Sequence, residues 1–397
     1  MNGVVFFTEC KKIFSKKTVW IFSALVLIFY VFFQSQFQDS VGTTYPLEAV
    51  RQGMEVSVSN PELKALIRER DYSAGYDELV PFLDPSVLEY AKSSEASGER
   101  YLTGVRFDIA NTINNYFQRI ADREEEIRSL EDGIEEGSPA LRRAKRKLLE
   151  TYQNSPVEIE MNLGSWNEYV DINHAMFYPA FITLVLLLGV SGIYSDEYAS
   201  NMQSLLLTCK KGRGRLFLAK LAASLSFAVL ATAFFELFAA VMTALFRNFP
   251  GQNISAASLY GLKLSPVSWS ALGLYLRQAA GACLSGIVMV CIASCVSAFS
   301  PNGLVPFFVS GAFYGGSALM AKITGFRGYL AHPLTWIGEF SPFAVQSIYG
   351  SIDSGHYVNL FGWIIPSLPA AVVWNILLAA GCILLCYKGY TGKQVQN

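Results

Sequence analysis

The sequence predicts an all-α polytopic membrane protein: six transmembrane helices with a large helical extracytoplasmic insert between the first and second. Three observations predict it. Uncharged apolar runs recur that reach the about 20 residues a helix needs to cross a bilayer. The runs are continuous rather than alternating, which selects helices over a closed barrel, the other way to satisfy backbone hydrogen bonds in lipid. Charge is also segregated. Residues 36–174 hold 26 of the 32 acidic residues and 15 of the 31 basic ones, so a formal net charge of −1 hides an acidic insert and a basic membrane part. Over the whole chain of 397 residues, 52% are hydrophobic and only 16% charged, which excludes an ordinary soluble domain.

Residues 1–17 read as an amphipathic helix lying along the inner membrane surface. Phe6, Phe7, Cys10, Ile13 and Phe14 share one side, with Glu9, Lys12 and Lys16 on the other. Residues 18–35 form the first span. Lys11, Lys12, Lys16 and Lys17 precede it like the basic region of a signal peptide. The following Gln34-Ser35-Gln36-Phe37-Gln38 offers no small-x-small cleavage site, so the span is expected to stay as an anchor. Later spans are expected at 175–194, 216–246, 272–299, 303–321 and 361–387. A broken, apolar stretch at 325–360 reads as an outer or re-entrant segment. The loop after the second span carries Lys210, Lys211, Arg213 and Arg215, and the tail at 388–397 carries Lys388 and Lys393. Short basic loops stay in the cytoplasm, so both termini are expected there and the insert outside the cell membrane.

The insert, 36–174, reads as helical. Asn60-Pro61 and Asp84-Pro85 are N-cap and N1 pairs. Ile113, Ile120, Ile127 and Ile134 repeat every seven residues; Ile109, Tyr116 and Leu130 extend the stripe, and Arg123 interrupts it. Gly137-Ser138-Pro139 separates this helix from a second one in which Leu141, Leu148, Leu149 and Tyr152 face one way. The expectation is a coiled-coil-like antiparallel hairpin, either a self-packing stalk or an arm that contacts a partner or substrate. None of the seven cysteines lies in the insert. It must therefore fold by its own core without disulfides, which suits a bacterial surface.

Residues 195–215 carry the functional argument. Ser195 is a good N-cap, Asp196 and Glu197 suit the first turn, Lys210 and Lys211 the last, and Gly212 can close the helix. Tyr198, Met202, Leu205, Leu206 and Cys209 form one apolar face. Such a helix either rests on anionic lipid or presents a face to a cytoplasmic partner.

The acidic residue after the second span, the leucine cluster, the basic Gly/Arg turn and a lysine opening the third span resemble the permease subunits of ABC-2-type exporters. So do Glu9-x-Lys11-Lys12-Ile13-Phe14 before the first span, and Ser341-Pro342-Phe343 before the last. The resemblance covers the membrane part; the insert matches no family pattern. It implies that Asp196, Glu197, Met202, Leu205, Leu206, Lys210, Lys211 and Arg213 couple to a separate ATP-binding subunit. It also implies a second permease chain, identical or a paralogue, with the substrate path between the two. The gap between the fourth and fifth spans, Ser300-Pro301-Asn302, is too short to add docking surface.

The chain is not expected to hydrolyse ATP: Gly212-Arg213-Gly214-Arg215 lacks the spacing of a phosphate-binding G-x-x-x-x-G-K-[ST] loop. His174, His332 and His356 are isolated, and neither a zinc motif nor a nucleophile elbow occurs. No cofactor, metal or nucleic acid is expected. Glu236, inside the third span, lies either on a transport path or beside a structural partner such as Arg277. Gly311 and Gly315 form a GxxxG for packing within the chain or between chains. The competing reading is a non-transporting scaffold or sensor whose outer domain binds a ligand or surface protein. A weaker one is an intramembrane enzyme using Glu236.

Overall fold

A computed structural model describes residues 3–36, 47–96, 102–154, 157–159, 177–199, 212–247, 252–253, 255–256, 262, 267, 269–324, 336–348, 352 and 357–392. The chain is mostly helical. Helix α1 (Gly3–Phe14) precedes α2 (Lys17–Gln36). The insert holds α3 (Leu47–Val58), α4 (Pro61–Glu69), α5 (Tyr76–Leu79), α6 (Pro85–Ala96), α7 (Leu102–Asp132) and α8 (Pro139–Asn154). Next come α9 (Phe177–Val190), α10 (Ser195–Ala199), α11 (Gly212–Arg247), α12 (Ala271–Phe299) and α13 (Leu304–Thr324). Short α14 (Trp336–Glu339) and α15 (Pro342–Gln346) lead to strands β1 (Tyr357–Leu360) and β2 (Trp363–Pro366), and α16 (Ser367–Thr391) closes the described chain. Six helices are long and apolar enough to cross a membrane: α2, α9 continued to Glu197, α11, α12, α13 and α16.

The third and sixth spans differ most from the expectation, and the sixth also runs on to Thr391, inside the expected tail. Gly212 opens α11 rather than closing the preceding helix, so the third span starts inside the expected 195–215 loop. The sixth begins at Ser367, not 361, because residues 357–366 pair as an antiparallel hairpin. That hairpin turns at Phe361-Gly362, both at positive φ, 51° and 95°. Glycine takes this conformation freely and phenylalanine does not. Prolines stand at the starts of these spans and do not interrupt them; Pro179 is the third residue of α9. Pro306 and Pro369 are third residues of α13 and α16, and Pro366 precedes α16. In a first turn the missing N–H has no helical partner to lose.

The insert forms its own core and shares it with one end of the bundle. Val50, Met54, Leu63, Ile67, Leu79, Ile109, Ile113 and Phe117 cluster with Ala271 and Leu274 of α12 and with Ile348 and Ile352. Each fully buried side chain of this size is worth about 1.5–3 kcal/mol. Asn60 caps α4 through Glu62 N–H at 2.9 Å, and Asp84 caps α6 through Ser86 N–H at 2.9 Å. Helices α7 and α8 form the expected hairpin about Gly137 (φ 93°), with Leu130, Ala144, Leu148 and Tyr152 buried between them and against Tyr357 of β1. Arg123 does not break this stripe. It is buried, its guanidinium 4.4 Å from the centre of the Tyr152 ring.

Between the ends, α15 folds back into the bundle with all five residues buried. Gly281 of α12 makes room for it: a Cβ there would strike the Val345 carbonyl oxygen. The Gln346 side chain ties α15 to three spans. Its Oε1 accepts from Tyr314 at 2.7 Å and from Thr183 and Ser285 at 3.3 Å, while its Nε2 donates to the Pro179 carbonyl at 3.1 Å. Gln278 donates to the Gln346 carbonyl and accepts from Ile348 N–H.

Candidate functional site: a buried ion cluster at the α1 end

The end of the bundle opposite the insert gathers α1, the α9–α10 turn, the start of α11 and the ends of α12 and α16. Apolar contacts seat α1 there. Ile13 is buried, and Phe14 meets Phe227 of α11 edge-on at 5.4 Å. Gly189 of α9 lets Phe227 come close, since a Cβ at that position would strike its ring. The face of α1 differs from the expected one: Glu9 is 3% exposed, while Phe7 is 70% exposed.

Glu9 is buried because Lys220 receives it. Lys220, 1% exposed, lies 3.3 Å from Glu9 and 2.8 Å from Glu197, and donates to the Ile193 carbonyl at 2.6 Å. The ammonium therefore faces one carbonyl acceptor and two carboxylates, the contact to Glu9 being an ion pair without a hydrogen bond. Its charge also sits 5.6 Å from the centre of the Tyr194 ring. Glu197 accepts further from Tyr390 of α16 at 3.2 Å, and Glu9 from Lys12 at 2.6 Å. Burying a charge is costly unless it is paired; Glu9 and Lys220 are buried and paired with each other, Glu197 is partly exposed beside them, and Glu9 Oε2 is held by the ion pair without a hydrogen bond. The cluster therefore fixes how four elements meet. Its members come from the Glu9 pattern, the acid after the second span and the lysine opening the third.

Beside the cluster lies a cavity of about 190 Å³, lined by Glu9, Lys12, Ile13, Lys16, Gly189, Gly192, Ile193, Asp196, Glu197 and Lys220. Lys16 donates to the Gly189 carbonyl at 3.0 Å. Burial pushes its pKa below the usual lysine range; Asp196 opposes the shift and Lys220 adds to it. Burial, then neighbouring Glu9, pushes the Cys10 thiol up. Asp196 is exposed at the cavity's edge. Ser195 is not a solvent-facing cap. It is buried, with its N–H donating to Ser297 Oγ at 3.0 Å and the two hydroxyls 3.2 Å apart. Asp196 and Glu197 lie in α10; Met202, Leu205, Leu206, Lys210 and Lys211 lie outside the described residues, and Arg213 lies in the first turn of α11.

The intramembrane candidates separate. Glu236 is buried and interacts electrostatically with Tyr178, Tyr275 and Cys283. Arg277 is exposed, 4.3 Å from the Trp269 ring centre, and donates to the Gly273 carbonyl at 3.0 Å. It braces the start of its own helix. Around Gly315 there is open space, and at Gly311 only Leu187 comes within 4.0 Å of an added Cβ, so this GxxxG is not a tight packing seam within the chain. Among the described residues no group of three or more His, Cys, Asp or Glu side chains is arranged to hold a metal ion.

Sequence reasoning placed Glu9 on a solvent face because helical periodicity sorts it with Lys12 and Lys16. The signal that it turns inward is a lysine in an apolar helix 211 positions later, which periodicity within one helix does not connect to it. The chain matches no protein-family model and no curated protein.

Proposed function

We propose that this chain is the membrane-spanning permease subunit of a bacterial ABC-2-type exporter. Both termini face the cytoplasm and the insert faces outward across the cytoplasmic membrane. A separate ATP-binding subunit powers it, and a second permease chain, identical or related, completes the path. One observation carries this reading: the acid of the N-terminal pattern, the acid after the second span and the lysine opening the third meet in one cluster, and Glu197 itself belongs to the 196–211 segment. A push on that segment would reach α9 and α11 through the chain itself, and α1 and α16 through Glu9 and Tyr390. Closure of the ATP-bound partner would shift this unit together and favour the outward-open state through its differential contacts with the two states.

Purification of the tagged chain in gentle detergent, with mass spectrometry of its companions, tests the reading. A stoichiometric subunit with a phosphate-binding loop is expected. Charge reversal at Lys210 and Lys211, or polar substitution at Leu205 and Leu206, should leave ATP hydrolysis in place and abolish transport. Normal transport by such a variant at normal expression would sink the coupling argument. A second reading, an outer-domain sensor, draws on the core the insert shares with α12. It predicts no ATPase companion, even after crosslinking at 196–211.

A further inference from the structure

Charge is graded across the cavity beside the ion cluster. Its inner wall carries buried Glu9 and Lys220 with partly exposed Glu197, one carboxylate more than ammonium. Its outer edge carries half-exposed Lys12, half-buried Lys16 and exposed Asp196, one ammonium more than carboxylate. Hydrogen-bonding capacity is left over on both sides. Glu9 Oε2 is buried and 3.3 Å from the Lys220 ammonium, yet accepts no hydrogen bond. Among the described residues, Lys12 donates only to Glu9 Oε1, at 2.6 Å, and Lys16 only to the Gly189 carbonyl, at 3.0 Å. An ammonium has three donors, so each of these two lysines keeps two. An acceptor lacking a donor inside and spare cationic donors at the edge complement a zwitterion whose cation points inward. Val4 and Phe7 of α1 are exposed, as on a helix lying in a lipid interface, where zwitterionic headgroups are at hand. A quaternary ammonium has no N–H to give Glu9 Oε2, so the cavity suits a primary amine.

We propose that this cavity binds a phosphoethanolamine group, its phosphate on Lys12 and Lys16 and its primary ammonium donating to Glu9 Oε2. At about 190 Å³ the cavity admits such a headgroup but not acyl chains. The phosphate meets charged donors, which bind anionic oxygen more strongly than neutral ones. The ammonium meets the wall where carboxylates are in excess. This site does not depend on the transport reading.

The test uses the full chain, stripped of lipid in detergent and titrated with lipids of identical acyl chains while native mass spectrometry counts what binds. One phosphatidylethanolamine per chain is expected. Affinity should fall as its nitrogen is methylated stepwise, and phosphatidylcholine should bind about tenfold or more weakly, the worth of a charge-assisted hydrogen bond. Phosphatidylglycerol, which has the phosphate without the ammonium, should also bind more weakly. This series uses the wild-type chain, so no folding defect can imitate its result. Lys12→Ala and Lys16→Ala should each weaken phosphatidylethanolamine about tenfold with the circular dichroism unchanged. Soluble glycerophosphoethanolamine identifies the source. Displacement of the lipid only at large molar excess places the occupant in the membrane, and displacement at equal concentration assigns the same contacts to a free phosphoethanolamine solute. Equal binding of phosphatidylethanolamine and phosphatidylcholine, phosphatidylglycerol binding as tightly as phosphatidylethanolamine, or unchanged binding in both lysine variants would each overturn the proposal.

Discussion

Replacing Lys220 with methionine keeps the length of the side chain and deletes its charge. Glu9 would then keep the half-exposed Lys12 as its counter-ion at the α1–α11 contact, and Glu197 would keep the Tyr390 hydroxyl but lose the ammonium at 2.8 Å. The Ile193 carbonyl would lose its donor at 2.6 Å. Removing one partner of a buried ion pair costs about 3–5 kcal/mol, mostly from the charge left behind. That is about two to four orders of magnitude in the folding constant. The double variant Lys220→Met/Glu9→Gln removes one stranded charge as well. It should be more stable than Lys220→Met alone, by about 0.5–3 kcal/mol for groups in direct contact. Unfolding in mixed micelles of rising SDS fraction, followed by far-UV circular dichroism, measures the first effect. Trypsin cleavage at Lys11 and Lys12, which requires α1 to leave its seat, reports where the loss falls. If Lys220→Met unfolds within about 1 kcal/mol of wild type, or gains nothing from Glu9→Gln, the cluster does not hold α1 and the argument built on it fails.

Three further outcomes follow from the packing. Gln346→Leu should take an acceptor from the Tyr314 and Ser285 hydroxyls, at about 1–3 kcal/mol for each buried group left unsatisfied, while Thr183 and the Pro179 carbonyl keep their own bond at 3.0 Å. An unchanged thermal midpoint would show that the network is dispensable. Gly281→Leu should cost about 1–3 kcal/mol by overpacking against the Val345 carbonyl and Ile348, with Gly281→Ala milder; hydrogen exchange at α15 should rise in the same order. The two hydrogen bonds from Ser86 hold the Asp84 carboxyl below its ordinary value of 3.8, so its contribution is present above pH 3.8 and lost as pH falls through the lowered folded value. Asp84→Ala should therefore flatten the acid limb of the insert's thermal midpoint below that pH, and an identical acid limb in both proteins would refute this role.

Much of the architecture was legible in advance because its causes are local. A span declares itself by about 20 apolar residues, and a cap by one side chain and its own backbone, as at Asn60 and Asp84. The α7–α8 hairpin followed from a seven-residue period and the Gly137-Ser138-Pro139 turn. Arg123 misled the reading of its own stripe, since a guanidinium over the Tyr152 ring can occupy a buried position that an unpartnered charge would not. The β1–β2 hairpin was hidden because Tyr357–Leu360 and Trp363–Pro366 are apolar and abut a span. A hydropathy window merges such strands with the helix that follows.

Hydropathy and charge segregation were enough for six spans and an acidic insert, because transfer of a side chain into lipid depends on that side chain and its immediate neighbours. They could not say that Glu9, Glu197 and Lys220 share one site, or that Gln346 is the hub of three spans. Those pairings join residues from tens to hundreds of positions apart. A buried charge or amide is tolerated only when a distant partner arrives at hydrogen-bond distance, and only the packing of helix on helix determines which partner that is.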